Sequence, residues 1–346
     1  MNIIVSIVSA QTLPNYLFIK EFQNQADLFL FISTAEMKKE NKTKLIYETA
    51  GLEKKQIRKI LIHEDELYLA KKRLDGLNWD NADYSFLVNI TGGTKLMSYA
   101  VFEYYKKLNS RFFYLPIGKN FIKEIFDNKP ALTLPIHYNV SVDEYLNLYG
   151  ISPKEEPLKL NENSVTAIFN HYKKRIPEKW PFSNLSRENI SEQQKIALWF
   201  EHFLYFQIKK HLDLPDNSIK LGVKLFKKEN DQNYRDHLND NEIDIIFTKN
   251  NTCYIVEAKV SVGKNKINTS AITNYLYKLA AINKRFGINA KAVLMLYTDL
   301  SSLSATSKQN LKNRCNVLNL PFPFSRKEID QENLFKDKLL TLTNTK

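Results

Sequence analysis

Short apolar segments alternate with amphipathic stretches over residues 1–150 of the chain. The short segments are rich in the β-branched and aromatic residues that strands favour, and they occupy residues 3–8, 26–33, 57–62, 84–90 and 111–117. Helical patterning occupies the stretches between them, at residues 14–25, 35–50, 65–77 and 94–108. Regular alternation of strand and helix predicts a doubly wound parallel sheet, in which ligands bind at the carboxyl ends of the strands.

The pattern changes after this first domain, which we place at residues 1–150. Residues 118–140 predict a hairpin, and residues 151–160 carry two prolines and mixed charge without periodicity, so they predict a linker. Residues 161–346 predict a second α/β domain. Its expected elements are helices at 162–175, 191–211 and 269–286, strands at 219–226, 242–248, 252–260 and 290–297, and a polar loop at 227–240.

Length and composition exclude several classes of protein. A chain of 346 residues with 43% hydrophobic residues suits about two globular domains. Two cysteines, Cys253 and Cys315, are too few for a disulfide framework and suit a reducing compartment. The chain contains no apolar run of about 18 residues, and its first residues lack the basic start of a signal peptide. We therefore expect a cytoplasmic protein that does not enter a membrane.

The positive charge of the chain is unevenly distributed. The net charge is +12, yet residues 1–150 hold 19 Lys and Arg against 17 Asp and Glu, while residues 151–346 hold 31 against 21. A basic second domain favours a polyanionic partner such as nucleic acid, because phosphate contacts release counterions. The alternative is a lysine-rich composition with solvated faces.

The segment at residues 241–260 contains the chemistry of the second domain. Asp244 lies on one predicted strand, and Glu257 and Lys259 lie on the next, where alternation directs both side chains to the same face. Two carboxylates at the ends of apolar strands are costly to bury unless a cation compensates them. Asp244, Glu257 and the carbonyl of Ala258 suit Mg²⁺ or Mn²⁺. An ion pair between Glu257 and Lys259 at a strand edge is the alternative.

This order of elements resembles the PD-(D/E)xK nuclease core over about residues 190–300. The resemblance implies a metal-dependent phosphodiesterase, in which Asp244, Glu257 and Ala258 hold the metal and Lys259 positions the attacking water. Glu201, on the preceding helix, stands where the superfamily often places an extra carboxylate, although it is alternatively an exposed helical charge. Tyr275 and Lys278 face either the substrate or, respectively, the core and the solvent.

A second candidate site follows the fourth strand of the first domain. Thr91, Gly92, Gly93, Thr94 and Lys95 form a turn at the start of a helix, where glycines let backbone N–H groups approach an anion. The turn matches neither GxxxxGK(S/T) nor GxGxxG, so nucleotide hydrolysis and nicotinamide binding are disfavoured. A tight strand-to-helix turn without a ligand is the alternative. Ser9, Gln11 and Thr12 follow the first strand at the same edge of the predicted sheet.

This turn and the opening VSAQTLPNYL resemble the CRISPR-associated Rossmann fold (CARF) sensor domain. A CARF domain followed by a PD-(D/E)xK domain resembles the ancillary nucleases of type III CRISPR systems. The resemblance implies a homodimer that binds cyclic oligoadenylate, most often cyclic tetra-adenylate. The pocket would be lined by Ser9, Gln11, Thr12, Thr91, Gly92, Gly93, Thr94 and Lys95.

We therefore expect a nuclease of DNA or RNA that the messenger switches on in antiviral defence. A ligand-sensing transcriptional regulator is the main alternative, although it would have no use for the carboxylates of the second domain. A ring nuclease that only degrades the messenger is a third.

Overall fold

A computed structural model describes residues 1–79, 83–173, 190–227, 242–260 and 269–344. The chain divides into two compact units. The first comprises Met1–Val140 and Glu144–Gly150, and the second comprises Ser141–Asp143 and Ile151–Lys346. No helix among these described residues is long and apolar enough to cross a membrane.

The first unit contains a seven-stranded sheet. In chain order its elements are β1 (Asn2–Ile7), α1 (Leu13–Phe22), β2 (Leu28–Ser33), α2 (Ala35–Lys39), α3 (Lys42–Thr49), β3 (Ile57–Leu61), α4 (Leu67–Asp75), β4 (Ser85–Asn89), α5 (Lys95–Tyr105), β5 (Ser110–Tyr114), β6 (Phe121–Ile125), β7 (Leu132–Pro135) and α6 (Val142–Leu148). The strand order is β3-β2-β1-β4-β5-β6-β7. Strands β1 to β5 pair in parallel, which confirms the predicted parallel sheet, while β6 and β7 are antiparallel.

The continuous helix predicted at residues 35–50 is instead two helices, α2 and α3. The chain breaks at Asn41, whose φ of 56° is left-handed. Asparagine tolerates this conformation better than most residues do, so the break falls at a residue that accommodates it. The helical periodicity continues across the break, which is why the sequence pattern alone does not reveal it.

The second unit contains a five-stranded sheet with the order β12-β11-β10-β9-β8. Its elements are β8 (Ile151–Glu155), α7 (Glu162–Tyr172), α8 (Glu192–Leu212), β9 (Ile219–Lys227), β10 (Ile243–Lys249), β11 (Thr252–Val260), α9 (Thr269–Asn283), β12 (Ala290–Tyr297), α10 (Ala305–Val317), α11 (Arg326–Ile329) and α12 (Glu332–Thr343). Strands β11 and β12 are parallel, and the other neighbours are antiparallel. The loop predicted at 227–240 lies, from residue 228 onward, outside the described residues.

Part of the segment predicted as a linker is a strand. Ile151–Glu155 forms β8, which pairs with β9 at the edge of the second sheet. Pro153 lies within β8, opposite Leu225. Proline has no N–H to donate to a ladder, yet an edge strand has one side without a neighbour and therefore tolerates it. Pro153 therefore lies in an edge strand of the second sheet and not in a linker.

The two faces of the second sheet carry different helices. Helices α7, α8 and α12 pack with Val256, Ala258 and Ile245 in one apolar cluster. Because strand side chains alternate, Glu257 and Lys259 on β11 point to the opposite face. Helix α9 packs against β11 and β12 and carries Lys278 to Glu257. The polar residues of β11 therefore lie under α9.

Candidate functional site

Strand pairing brings the acidic residues of the second sheet together. Strands β10 and β11 are antiparallel, and Ile245 pairs with Val256. The next residues along the two strands are Asp244 and Glu257, so both carboxylates lie on the same face. The predicted convergence of Asp244, Glu257 and Lys259 is therefore present in the structure.

One ammonium group contacts every oxygen group that we expected to bind the metal. The Nζ atom of Lys259 lies 2.9 Å from Glu257 Oε1 and 3.2 Å from Asp244 Oδ2. It also donates to the carbonyl oxygen of Ala258 at 2.9 Å. The N–H of Ala258 donates to Asp244 Oδ2 at 2.7 Å, which orients that carboxylate. The three oxygens thus surround a single cationic atom.

Burial makes the charges of this cluster depend on one another. Glu257 is 4% exposed, and Asp244 is half-buried at the level of the whole residue. Burial, together with the charge of Glu257, raises the pKa of Asp244 to about 6, although Lys259 and the Ala258 N–H oppose this. For Lys259, burial lowers the pKa, but the two carboxylates outweigh it and raise the pKa above its ordinary value.

Glu201 lies on α8, which packs against the other face of the sheet. It makes no hydrogen bond or ion pair with another described residue. Burial and the charge of Asp244 raise its pKa to about 8, while Lys259 lowers it. The structure therefore places Glu201 within electrostatic reach of the carboxylates but not in contact with them.

The oxygen atoms of this cluster fit a hard divalent cation. Two carboxylates and a peptide carbonyl are the donors that Mg²⁺ and Mn²⁺ prefer, and they already surround a positive charge. Within the described ranges, no group of three or more His, Cys, Asp or Glu side chains could hold a metal ion.

The second cluster lies at the carboxyl edge of the first sheet. Strand β1 lies between β2 and β4. After β1 the chain continues to β2, and after β4 it continues to β5, so the two connections run in opposite directions across the sheet. This is the topological switch point of a doubly wound sheet, where the loops after the two strands diverge and leave a crevice. The loop at residues 8–12 and the turn at residues 90–94 flank that crevice.

A buried pair of asparagines, which local sequence patterns do not predict, joins the end of β4 to the start of α1. The Asn89 side chain donates to Asn15 Oδ1 at 2.9 Å, and Asn15 donates to the carbonyl of Ile7 at 2.9 Å. Asn89 Oδ1 also accepts from the N–H and the hydroxyl of Thr91, at 3.0 and 2.6 Å. The only sequence signal was an asparagine at the end of an apolar strand. The pair fixes the start of the turn against α1.

The turn requires glycine at positions 92 and 93 for different physical reasons. A Cβ on Gly92 would lie 2.0 Å from the carbonyl oxygen of Ile7, so only glycine fits so close to β1. Gly93 has a φ of 75°, and a Cβ there would lie 2.6 Å from the Ile7 side chain. The turn therefore packs directly on the end of β1.

The predicted sensor residues differ in their accessibility. Gly93, Thr94 and Lys95 are exposed at the start of α5, and Ser9, Gln11 and Thr91 are half-buried. Thr94 caps α5, because its hydroxyl accepts from the N–H of Met97. Thr12 is fully buried, and its hydroxyl donates to the carbonyl of Leu148 at 2.8 Å. Its side chain holds the loop in place and does not face the crevice.

Comparison with a protein family agrees with this geometry. Residues 3–145 match the family model of the Card1 CARF domain. The match covers the whole parallel sheet of the first unit and both loops of the crevice. No curated protein matches the sequence.

Solved structures share the fold at low sequence identity. Protein VC1899 from Vibrio cholerae is 14% identical with a TM-score of 0.71, and the alignment covers 99% of this chain and 98% of that one. Can2 from Sulfobacillus thermosulfidooxidans, solved in complex with cyclic tetra-adenylate, is 18% identical with a TM-score of 0.67, and the alignment covers 100% of both chains. A type III CRISPR defence DNA nuclease activated by cyclic oligoadenylate is 14% identical with a TM-score of 0.59, over 86% of this chain and 45% of that one. Together with the family match, these similarities support a CARF fold for the first unit.

The glycine turn gives a direct test of the sensor geometry. Gly92→Ala places a methyl group against a backbone carbonyl, so we expect it to lower the free energy of unfolding by about 3 kcal/mol. Gly51→Ala is the matched control, since Gly51 has a φ of 72° but nothing within 4 Å of its Cβ. It costs only the left-handed conformation, about 1 kcal/mol. Equal losses for the two variants in urea unfolding would contradict the packing of the turn on β1.

Proposed function

We propose that this protein is a metal-dependent nuclease that a cyclic oligoadenylate activates. The observation that carries the proposal is the contact of the Lys259 ammonium with Asp244, Glu257 and the Ala258 carbonyl, in a chain whose first unit matches a CARF domain. We infer that the activator is cyclic tetra-adenylate, as in the complex of Can2, and that the protein acts in type III CRISPR defence. The substrate is DNA or RNA.

We assign Asp244, Glu257 and the Ala258 carbonyl as ligands of Mn²⁺ or Mg²⁺. When bound, such a cation polarises the scissile phosphate and lowers the pKa of a coordinated water. In a PD-(D/E)xK domain formed by the second unit, which includes β8 as well as residues 161–346, the two carboxylates would compensate the cation in a buried setting. The basic surplus of this part of the chain then favours approach of a polyanionic strand.

Lys259 and Glu201 have separate tasks in this proposal. Asp244, Glu257 and the Ala258 carbonyl would hold the cation in place of the Lys259 ammonium, and the lysine would then lie toward the scissile phosphate. There it orients water and balances the negative charge that develops on the phosphoryl oxygens. Glu201, whose pKa is raised to about 8 by burial and by the charge of Asp244, is the additional carboxylate of the site and would hold a second metal ion or a metal-bound water.

The sensor proposal rests on the crevice at the switch point. The exposed turn around Lys95 offers a positive charge and helical N–H groups to a phosphate. We propose that the cyclic oligoadenylate contacts a subset of the loop residues directly and that Thr12 supports the loop from behind. The assigned residues are Ser9, Gln11, Thr12, Thr91, Gly92, Gly93, Thr94 and Lys95.

We further propose that the protein is a homodimer. A ring with two-fold symmetry matches the axis of an isologous dimer. Helices α4 and α5 pack on each other and expose apolar side chains, among them Tyr68 at 70% and Tyr99 at 49%. Burial of this surface against a second copy would remove it from water and place two sensor turns near one axis.

Hydrogen bonds inside the first unit suggest how the messenger acts on the second. The Tyr149 hydroxyl donates to Gln11 Oε1 at 3.2 Å, and Thr12 holds the Leu148 carbonyl. Residues 148 and 149 precede β8 in the chain. The loop at residues 8–12 is therefore hydrogen-bonded to the segment that leads into the second sheet. A ligand shifts such an equilibrium only by its differential affinity for two states, about 5.5 kcal/mol for a switch from 1% to 99% active.

Cleavage by the Glu257→Gln variant tests the nuclease proposal. Loss of a metal ligand without loss of volume should lower the rate by several orders of magnitude, because the cation is the main source of charge stabilisation. The assay uses labelled single- and double-stranded DNA and RNA, with Mn²⁺ and each cyclic oligoadenylate in turn. Glu332→Gln, which changes an exposed carboxylate paired with Lys210, is the control and should cleave like wild type.

Unchanged cleavage by Glu257→Gln, or cleavage that persists when EDTA removes the metal, would overturn the assignment. Messenger-dependent binding of DNA without any cleavage would instead favour the transcriptional regulator. Degradation of the messenger alone, unaffected by Asp244→Ala, would favour the ring nuclease.

The sensor assignment predicts a specific loss of messenger affinity. Lys95→Ala should weaken binding of cyclic tetra-adenylate by about 1–3 kcal/mol, because it removes a charge-assisted contact to phosphate. Calorimetric titration of the full-length protein measures the effect. Lys55→Ala, which removes an exposed lysine paired with Glu53, is the control. Equal affinity of the Lys95 variant and wild type would show that Lys95 is a solvated helix charge.

A further inference from the structure

The carboxylate of Glu257 contacts two ammonium groups, not one. Besides Lys259 at 2.9 Å, the Nζ atom of Lys278 lies 3.3 Å from the same oxygen, Oε1. Lys278 comes from α9, which is separated from β11 in sequence and packs over its polar face. Glu257 is therefore held by ammonium groups from two elements, Lys259 on β11 and Lys278 on α9.

The two lysines have different surroundings. Lys259 contacts Asp244 and the Ala258 carbonyl as well as Glu257, so it lies at the centre of the oxygen cluster. The side chain of Lys278 is 35% exposed, and its ammonium lies 3.3 Å from Glu257 Oε1. It has no contact with Asp244 among those that the structure describes. Lys278 can therefore stay beside Glu257 when the central position changes its occupant.

The distances show that a metal ion bound to these oxygens would exclude the ammonium from them. The three oxygens lie 2.9 to 3.2 Å from the Lys259 ammonium, whereas Mg²⁺ binds oxygen at about 2.0–2.1 Å. An ammonium and a metal ion cannot share the same set of oxygens. With Lys259 displaced, Glu257 would keep only Lys278 of its two ammonium partners.

We propose that Lys278 is a positioning residue, which fixes the Glu257 carboxylate in its ligand orientation while the cation replaces Lys259. The inference rests on the proposed function, because it concerns the same metal site. Helix α9 is suited to this task, since Leu276 and Leu279 on either side of Lys278 are buried and anchor the helix. A partner that holds a metal ligand in place commonly affects metal affinity or activity about 10- to 100-fold.

The test compares Lys278→Met with Lys278→Arg. Lys278→Met should raise the Mn²⁺ concentration needed for half-maximal cleavage about tenfold or more, with recovery of the rate at high Mn²⁺. It should weaken Mn²⁺ binding by a similar factor in electron paramagnetic resonance titrations without nucleic acid. Lys278→Arg keeps the positive charge and should restore both. Lys284→Met, which changes an exposed lysine directly after the end of α9, should behave as wild type.

Three results separate the possible failures. Equal Mn²⁺ dependence of Lys278→Met and wild type would overturn the inference, as would a lower rate at every Mn²⁺ concentration with unchanged Mn²⁺ binding. If Lys278→Met does not fold, Lys278→Gln replaces it as the uncharged variant, and the same readouts decide. If Glu257→Gln cleaved like wild type, the proposed function would be refuted. The role of Lys278 beside Glu257 would then be decided by the Mn²⁺ binding of the Lys278 variants alone.

Discussion

The mutual dependence of Asp244, Glu257 and Lys259 is the constraint on which the second unit rests. Each carboxylate would be costly to bury alone, and removal of one partner from a buried pair leaves an uncompensated charge. The ammonium lies between the carboxylates at 2.9 and 3.2 Å, and the Ala258 peptide contributes both a donor and an acceptor. A cluster compensated in this way balances its charges with residues of the chain itself, yet it offers three oxygens to any cation that replaces the ammonium.

The surrounding architecture keeps this cluster in place from both faces of the sheet. On one face, α8 packs against the apolar residues that alternate with the polar ones, and Glu201 approaches from there. On the other face, α9 supplies Lys278. The first unit is organised differently: the hydrogen bond between Asn89 and Asn15 joins the end of β4 to α1, and Gly92 lets the turn pack on β1. One site is thus organised by charge and the other by hydrogen bonds and close backbone contact.

Local sequence patterns predicted the strands and the meeting of Asp244 with Glu257, because alternation and antiparallel pairing determine which side chains share a face. The parallel order of the first sheet followed from the alternation of strand and helix. Contacts that depend on packing between distant elements were beyond such patterns. The Lys278 contact required the position of α9, and the Asn89–Asn15 pair required adjacency of β1 and β4. Pro153 favoured a linker in the prediction, because proline occurs at sheet edges as well as in linkers. The break at Asn41 was not predicted, because the helical periodicity continues across it.

The most direct measurement is a calorimetric titration of Mn²⁺ into the full-length protein without nucleic acid. Wild type, Asp244→Asn and Lys259→Met are compared. If the Lys259 ammonium holds the position of the cation, Lys259→Met binds Mn²⁺ at least as tightly as wild type, since a competitor has been removed, and Asp244→Asn binds it far more weakly. Equal Mn²⁺ binding by wild type and Asp244→Asn, or no binding by Lys259→Met, would contradict the account.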